Sequence, residues 1–237
     1  MEFNFIEGEV LLINKPLKWT SFDAVNKIRG LVKRSLHVKK IKIGHAGTLD
    51  PLASGLLIIC TGKLTKRIDE YQAFDKEYTG SFYLGATTPS ADLETEVDQT
   101  FDISHLNEEL IRKTAHQFIG TFHQTPPIYS AKQIDGERAY EAARKGRTIE
   151  MRSREVTISD FEINNINLPT IEFRVVCSKG TYIRSLAKDF GEALQCGAYL
   201  SALCRTRIGE YVLKNAITIE QFESLMKIDL LKQSNLL

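Results

Sequence analysis

The residues with the clearest chemical potential lie in one glycine-rich stretch, residues 44–55, which reads GHAGTLDPLASG. It places a single carboxylate, Asp50, between glycines and directly before Pro51. Glycine allows backbone conformations that a side chain forbids, and a proline moves the residue before it away from helical geometry. We therefore expect a stiff loop that presents Asp50, with His45 nearby, to a large ligand that approaches the backbone closely. The same residues also suit an ordinary turn with a capping aspartate.

The elements predicted around this loop include both strands and helices. Alternating or continuous apolar residues predict strands over residues 9–14, 56–60, 77–84, 155–163 and 170–177, with more strand between 198 and 213. Residues 123–128 contain two consecutive prolines and are expected to be irregular.

Apolar periodicity together with cap residues predicts the helices. They cover residues 107–119, 138–145, 181–194 and 218–227. One more helix begins at Thr20 or Ser21, and its predicted inward face consists of Phe22, Val25, Ile28 and Val32.

Length and composition favour a folded cytoplasmic protein. The 237 residues are 43% hydrophobic and 26% charged, which is ordinary for a globular chain, and no apolar run approaches the roughly 20 residues of a membrane span. The N-terminus lacks the pattern of a secretory signal. The four cysteines form no C-x-x-C pair and no histidine pair has metal-ligand spacing, which favours reduced thiols over disulfides or zinc.

Charge is distributed unevenly, although the net charge is only +1. Residues 33–45 hold five Lys or Arg and no acid, whereas residues 92–109 hold seven Asp or Glu and no Lys or Arg. A polarised surface can bind phosphates even when the sum of charges is near zero. Because Lys39, Lys40 and Lys42 directly precede the Asp50 loop, we expect them to contact a nucleic-acid backbone. An isolated basic run is more often a solvated loop.

Several motifs in order resemble the bacterial tRNA pseudouridine-55 synthases of the TruB type. Besides the Asp50 loop they are VLLINKP at 10–16, KEY at 76–78, YSA at 129–131, SKGTYIR at 178–184 and CGA at 196–198. The resemblance implies an α+β pseudouridine synthase fold, with a large mixed, mostly antiparallel sheet, flanking helices and a central catalytic cleft. It also implies one catalytic domain over residues 1–237, with an RNA-gripping, thumb-like insertion at 122–153. The separate C-terminal RNA-binding domain common in the family is not expected here.

The resemblance implies three catalytic residues. Asp50 corresponds to the family's catalytic aspartate, and Arg184 to the arginine that pairs with it. An arginine beside a carboxylate keeps it ionised and oriented. Tyr78 corresponds to the tyrosine that stacks on the flipped uracil, although it could equally be a core aromatic residue of a strand.

Further residues are implied as substrate contacts: His45, Tyr182, Leu203, Asp92 and Lys15. Tyr182 and Leu203 are expected to line the uracil pocket, and His45 to contact the RNA arm where the nucleotide leaves the stack. Asp92 is expected near the cleft, although the usual family glycine three residues later is a threonine here. Lys15 is expected to be either a phosphate-binding or a structural lysine at the floor of the cleft.

The implied reaction is the isomerisation of uridine 55 in the TΨC stem-loop of tRNA. It involves no redox change and no external energy, so neither a cofactor nor a metal is expected. Residues 55–63 also lack the spacing of a phosphate-binding loop. The expected partner is tRNA alone, with no membrane and no obligatory protein, and the expected state is a monomer. Two other classes stay open: an RNA-binding protein without turnover, and a small-molecule hydrolase, for which no second acid or metal motif is present.

Overall fold

A computed structural model of the chain describes residues 3–129, 133–134, 137–138 and 151–234. The described residues form fourteen strands and five α-helices. The strands are β1 (Val10–Lys15), β2 (Ile43–His45), β3 (Ala53–Thr61), β4 (Lys76–Leu84), β5 (Ala86–Thr87), β6 (Gln99–Thr100), β7 (Gly120–Gln124), β8 (Gln133–Ile134), β9 (Glu137–Arg138), β10 (Arg154–Asn167), β11 (Thr170–Cys177), β12 (Ala198–Ile208), β13 (Tyr211–Val212) and β14 (Ile217–Thr218). The helices are α1 (Ser21–Ser35), α2 (Ile68–Ala73), α3 (Glu108–Gln117), α4 (Ile183–Ala193) and α5 (Ile219–Ser234).

Ten of the described strands form one mixed sheet in the order β14-β1-β3-β12-β4-β11-β10-β7, with β2 beside β3 and β13 beside β12. The β1–β14 pair is parallel, whereas the pairs β1–β3, β10–β11 and β7–β10 are antiparallel. The predicted α+β class with a large mixed sheet is therefore confirmed. None of the helices in the described part of the chain is long and apolar enough to cross a membrane.

The chain divides into two compact units, and β4 and β12 each contribute residues to both. Unit 1 consists of residues 1–77 and 204–237, and unit 2 of residues 78–203. The helix predicted over residues 138–145 lies outside the described residues, apart from Arg138, which belongs to β9.

The core of unit 1 forms where α1 and α5 pack on the apolar face of β1 and β3. Ile13, Ile28, Leu57 and Phe222 are all fully buried there. Helix α1 begins as predicted, because Thr20 and Asp23 form a reciprocal capping box. Phe22 was predicted to face inward, and this is wrong, since it is 61% exposed. Ala24, Val25, Ile28 and Val32 recur at helical spacing and face the core, and Phe22 lies outside that stripe.

The core of unit 2 is aromatic. Phe82 of β4, Phe161 of β10, Phe173 of β11 and Phe190 of α4 lie with ring centroids 4.2–6.4 Å apart, a spacing that favours offset and edge-to-face contacts. The prediction that residues 123–128 are entirely irregular is wrong at its start. Strand β7 continues to Gln124, because its backbone pairs with β10, and the regular structure ends before the two prolines.

Candidate active site

Backbone hydrogen bonds hold the Asp50 loop against its own unit. β2 pairs with β3, and the amide of Ala46 donates to the carbonyl of Ile58 at 2.9 Å. The buried hydroxyl of Ser21, in the first turn of α1, accepts from the amide of Leu49 at 2.8 Å and donates to its carbonyl at 3.0 Å. Asp50 itself is half-buried. The loop therefore presents its carboxylate on a backbone that cannot easily shift.

Two glycines flank Asp50 in conformations that require glycine. Gly47 has φ +100° and Gly55 has φ +107°, both in the region that side chains disfavour. A Cβ atom at Gly55 would also lie 2.4 Å from the carbonyl oxygen of Arg205 on the neighbouring strand. The close fit that was predicted for this loop is therefore present at Gly55.

Lys15 lies beneath this loop and is fully buried. Its Nζ donates to the carbonyls of Pro16 at 3.0 Å and Trp19 at 2.6 Å. Its pKa is lowered from 10.5 to about 8, chiefly by burial; the nearby charge of Asp50 acts in the opposite direction, and the charge of Arg205 adds to the lowering. A buried ammonium with two carbonyl partners fits the structural alternative for Lys15 better than the phosphate-binding one.

The burial of Lys15 predicts a pH dependence of stability. Because folding lowers the pKa, the cost of burying the charged amine is full below pH 8 and disappears as the pH rises towards 10.5. We expect the free energy of unfolding of the wild type, relative to Lys15→Met, to rise by about 2–3 kcal/mol between pH 7 and pH 10. Urea unfolding of both proteins at the two pH values measures this. If the difference in free energy of unfolding between the two proteins is the same at both pH values, the Lys15 amine is not buried in its charged form.

His45 ends β2 and is half-buried. Burial lowers its pKa, and the charge of Arg205 lowers it further, so the neutral ring is favoured. The backbone of Gly47 acts weakly in the other direction, but Nδ1 makes no hydrogen bond of ordinary geometry within the described residues. A neutral imidazole beside the loop can both donate and accept a hydrogen bond.

Arg205 of β12 was missed by the sequence analysis. It is 1% exposed, and its guanidinium donates to backbone carbonyls of the Asp50 loop and of β3. The sequence offers one signal for Arg205, a charged residue within a predicted strand. Arg207, two positions later, gives the same signal, so the sequence does not single out Arg205.

In unit 2, Arg184 and Asp92 form a buried ion pair. They are 4% and 5% exposed, and Nε of Arg184 lies 3.5 Å from Oδ2 of Asp92. Oδ1 of Asp92 accepts from the amide of Glu94 at 2.9 Å. The threonine that departs from the family pattern, Thr95, completes this turn, since its hydroxyl contacts that of Ser90 at 2.8 Å. The departure therefore leaves Asp92 held in place.

The start of α4 positions Arg184, and Tyr182 occupies its N-cap position. The side-chain amide of Gln124 accepts from the Tyr182 amide at 2.8 Å and donates to its carbonyl at 3.1 Å. The guanidinium of Arg154 lies 4.6 Å from the centre of the Tyr182 ring, a cation–π distance. Gln124 and Arg154 were not among the predicted site residues, and their contacts depend on strand pairing that no local pattern reveals.

The remaining predicted residues lie as follows. Tyr78 is 8% exposed on the inward face of β4, and Leu203 is half-buried on β12. Lys39, Lys40 and Lys42 are all exposed between α1 and β2. The structure thus brings Lys15, His45 and Asp50 together in unit 1, and Asp92, Tyr182 and Arg184 together in unit 2.

Comparisons with known proteins define the class of this chain. Residues 33–183 match the family model described as the N-terminal domain of TruB family pseudouridylate synthases. Residues 184–235 match the model of the tRNA pseudouridylate synthase B C-terminal domain. The chain belongs to the TruB family of pseudouridylate synthases, and the family predicted from its motifs is confirmed.

Individual relatives are similar over nearly their whole length. A protein of Flavobacterium johnsoniae named tRNA pseudouridine synthase B is 62% identical, covering 92% of this chain and 96% of that protein. A protein of the same name from Phocaeicola vulgatus is 56% identical, covering 92% and 93%. Among solved structures, a chain of a Cbf5-Nop10-Gar1 complex has a TM-score of 0.68 and 27% identity over 93% of this chain. This chain spans 54% of that solved chain.

Proposed function

We propose that this protein isomerises uridine to pseudouridine at position 55 in the TΨC stem-loop of tRNA, with Asp50 as the catalytic carboxylate. The observation that carries the proposal is the Asp50 loop: a half-buried carboxylate on a backbone held by the Ser21 hydroxyl and by strand pairing. Membership in the TruB family supports the reaction class.

The proposed reaction is an internal rearrangement. The bond between ribose C1′ and uracil N1 breaks, the base turns, and a bond forms between C1′ and uracil C5. The hydrogen on C5 leaves as a proton, and a proton is restored at N1, so atoms and charges balance. An ionised carboxylate can serve either as a nucleophile or as a base in such a sequence. The base must also leave the helical stack, which costs a few kcal/mol.

The other site residues receive roles around Asp50. We propose that Arg184 pairs with Asp50 and that Asp92 orients Arg184, because a bound carboxylate fixes the plane of a guanidinium. Tyr78 is proposed to stack on the flipped uracil, with Tyr182 and Leu203 completing the pocket. His45 is proposed to contact the RNA where the nucleotide leaves the stack, and residues 122–153 to grip the RNA.

Electrostatic contact with the RNA is assigned to Lys39, Lys40 and Lys42, which are exposed on the segment leading into β2. Each phosphate that a lysine neutralises contributes about 0.7–0.9 to the slope of log affinity against log salt. Changing all three lysines to glutamine should therefore lower that slope by about 2 and leave the rate at saturating RNA nearly unchanged. Filter binding across a salt series measures the slope.

A matched control for the triple variant uses three lysines elsewhere. Lys63, Lys66 and Lys214 belong to unit 1 but not to the segment before β2. Their triple replacement by glutamine should leave the salt slope near that of the wild type. Equal slopes for the wild type and the Lys39, Lys40 and Lys42 variant would place the phosphate contacts on another surface.

The proposed function is tested on the purified protein with a tRNA transcript carrying tritium at uracil C5. Release of tritium to water reports the reaction, and mapping of pseudouridine in the product reports its position. A transcript with cytidine at nucleotide 55 is the control. We expect tritium release from the first transcript alone, with the purified chain acting as a monomer and needing no protein partner. In the cell, we propose that it acts in the cytoplasm. Binding without release would favour an RNA-binding protein, and equal modification at other uridines would contradict the assigned position.

A further inference from the structure

Arg205 is a buried cation whose described hydrogen bonds end on backbone carbonyls. Nε donates to the carbonyl of Leu56 at 2.8 Å, Nη2 to that of Gly47 at 3.2 Å, and Nη1 to that of Thr48 at 3.4 Å. The residue is 1% exposed. Because arginine stays protonated in proteins, burying it is costly unless the surroundings compensate the charge.

The three carbonyls lie on both sides of the residue proposed to be catalytic. Gly47 and Thr48 precede Asp50 in the loop, and Leu56 follows it in β3. One planar guanidinium therefore ties the entry and the exit of the loop together, and its fixed fork suits this task better than the single flexible ammonium of lysine.

The charge of Arg205 also acts on titratable groups in and beneath the loop. It lowers the pKa of both Lys15 and His45, next to the larger effect of burial. Lys15 in turn interacts with the charge of Asp50. The loop that carries the anion thus lies on a base of two buried positive groups.

We propose that Arg205 is a positioning residue for the isomerisation, holding Asp50 in its reactive place by clamping the carbonyls of Gly47, Thr48 and Leu56. This inference rests on the proposed role of Asp50. A displacement of about 1 Å in a reacting group can cost on the order of 100-fold in rate, so loosening the clamp should affect turnover far more than RNA binding.

The first test is Arg205→Lys, which keeps the charge and removes the fork. We expect the single-turnover rate constant at saturating tRNA to fall about 100-fold, with the dissociation constant for tRNA within about threefold of the wild type. Arg207→Lys is the matched control, since Arg207 lies on the same strand and donates to Gly209 rather than to the loop. It should retain the wild-type rate constant. A rate constant for Arg205→Lys within threefold of the wild type would overturn the proposal.

A second control distinguishes the positioning role of Arg205 from a general contribution to stability. Phe222→Leu weakens the α1–α5 core of unit 1, where Phe222 is fully buried, without touching the loop. At a temperature where both variants are folded, Phe222→Leu should react at the wild-type rate while Arg205→Lys should not. Equal losses in the two variants would show that reduced stability alone explains the effect.

Amide hydrogen exchange tests the clamp without any turnover. The amides of Ala46, Leu49 and Ala53 donate to Ile58, Ser21 and Asp50 in the wild type, and all three should exchange at least about tenfold faster in Arg205→Lys. Unchanged exchange would overturn the proposal. If the wild type fails to modify tRNA, or if Asp50→Asn stays active, the proposed function fails, and the exchange result still decides whether Arg205 holds the loop.

If Arg205→Lys fails to fold, a substitution in the loop itself still tests the clamp. In Gly47→Ala the new Cβ would meet Nη1 of Arg205 at 3.8 Å, an ordinary contact, so the change acts through backbone strain at φ +100°. Moving the Gly47 carbonyl away from Arg205 should reproduce the slow turnover and the fast exchange. Normal turnover and exchange in this variant would contradict the clamp.

Discussion

Replacement of Asp50 by asparagine should lower the rate constant of pseudouridine formation by at least about 1000-fold. Asparagine keeps the shape of the side chain but cannot act as an ionised nucleophile or base. The loop should remain folded, because its hydrogen bonds to Ser21 and Arg205 involve other residues of the loop. Tritium release from labelled tRNA measures the rate, and a filter-binding titration should show affinity within about threefold of the wild type.

A matched control for Asp50→Asn is Asp69→Asn. Asp69 is an exposed aspartate of α2 in the same unit, and its replacement removes one negative charge without affecting the loop. We expect an unchanged rate for this variant. Residual turnover of Asp50→Asn within tenfold of the wild type would remove Asp50 from the mechanism.

Replacement of Arg184 by lysine should lower the rate constant by about 100-fold, even though the charge is kept. Both members of the Arg184–Asp92 pair are buried. A lysine cannot bind the carboxylate of Asp92 while presenting a second donor to Asp50 in the same plane. Asp92→Asn should produce a loss of similar kind, because the guanidinium loses its orienting partner. The effects of the two changes should not add in the double variant, since both disrupt one unit.

The control for this pair is an exposed ion pair in the same unit. Arg112 and Glu108 lie 2.8 Å apart on the surface of α3, where such pairs contribute little. Arg112→Lys should therefore leave turnover unchanged. Additive losses in the Arg184 and Asp92 double variant would show that the two residues act independently and that Asp92 does not orient Arg184.

Several features of this protein were determined by short stretches of its sequence. The start of α1 at Thr20 or Ser21 was predictable because cap residues precede an apolar periodicity, and the structure places the N-cap at Thr20. The strands β1, β3 and β11 were predictable because their apolar residues show the pattern that burial in a sheet requires. The Asp50 loop was predictable as well, since the glycines and the proline around it restrict the backbone locally.

Other features were decided only by the tertiary structure. The inward face of α1 was predicted to include Phe22, but packing against α5 and the phase of the helix leave that residue exposed. The sequence left Lys15 as either a phosphate-binding or a structural residue. Its buried ammonium donates to the carbonyls of Pro16 and Trp19, which favours the structural role. Its pKa follows from that burial, which no local pattern encodes.

The clearest difference concerns the buried side chains that bind the Asp50 loop and the start of α4. Arg205 is separated by 149 residues in the sequence from Leu56, whose carbonyl it binds, and by 158 from Gly47. Gln124 is 58 residues from Tyr182. Such contacts arise from strand pairing, which brings distant residues together and which propensity and periodicity do not specify. The sequence by itself thus determined which residue is proposed to carry the chemistry, and only the tertiary structure decided which buried side chains bind the loop around it.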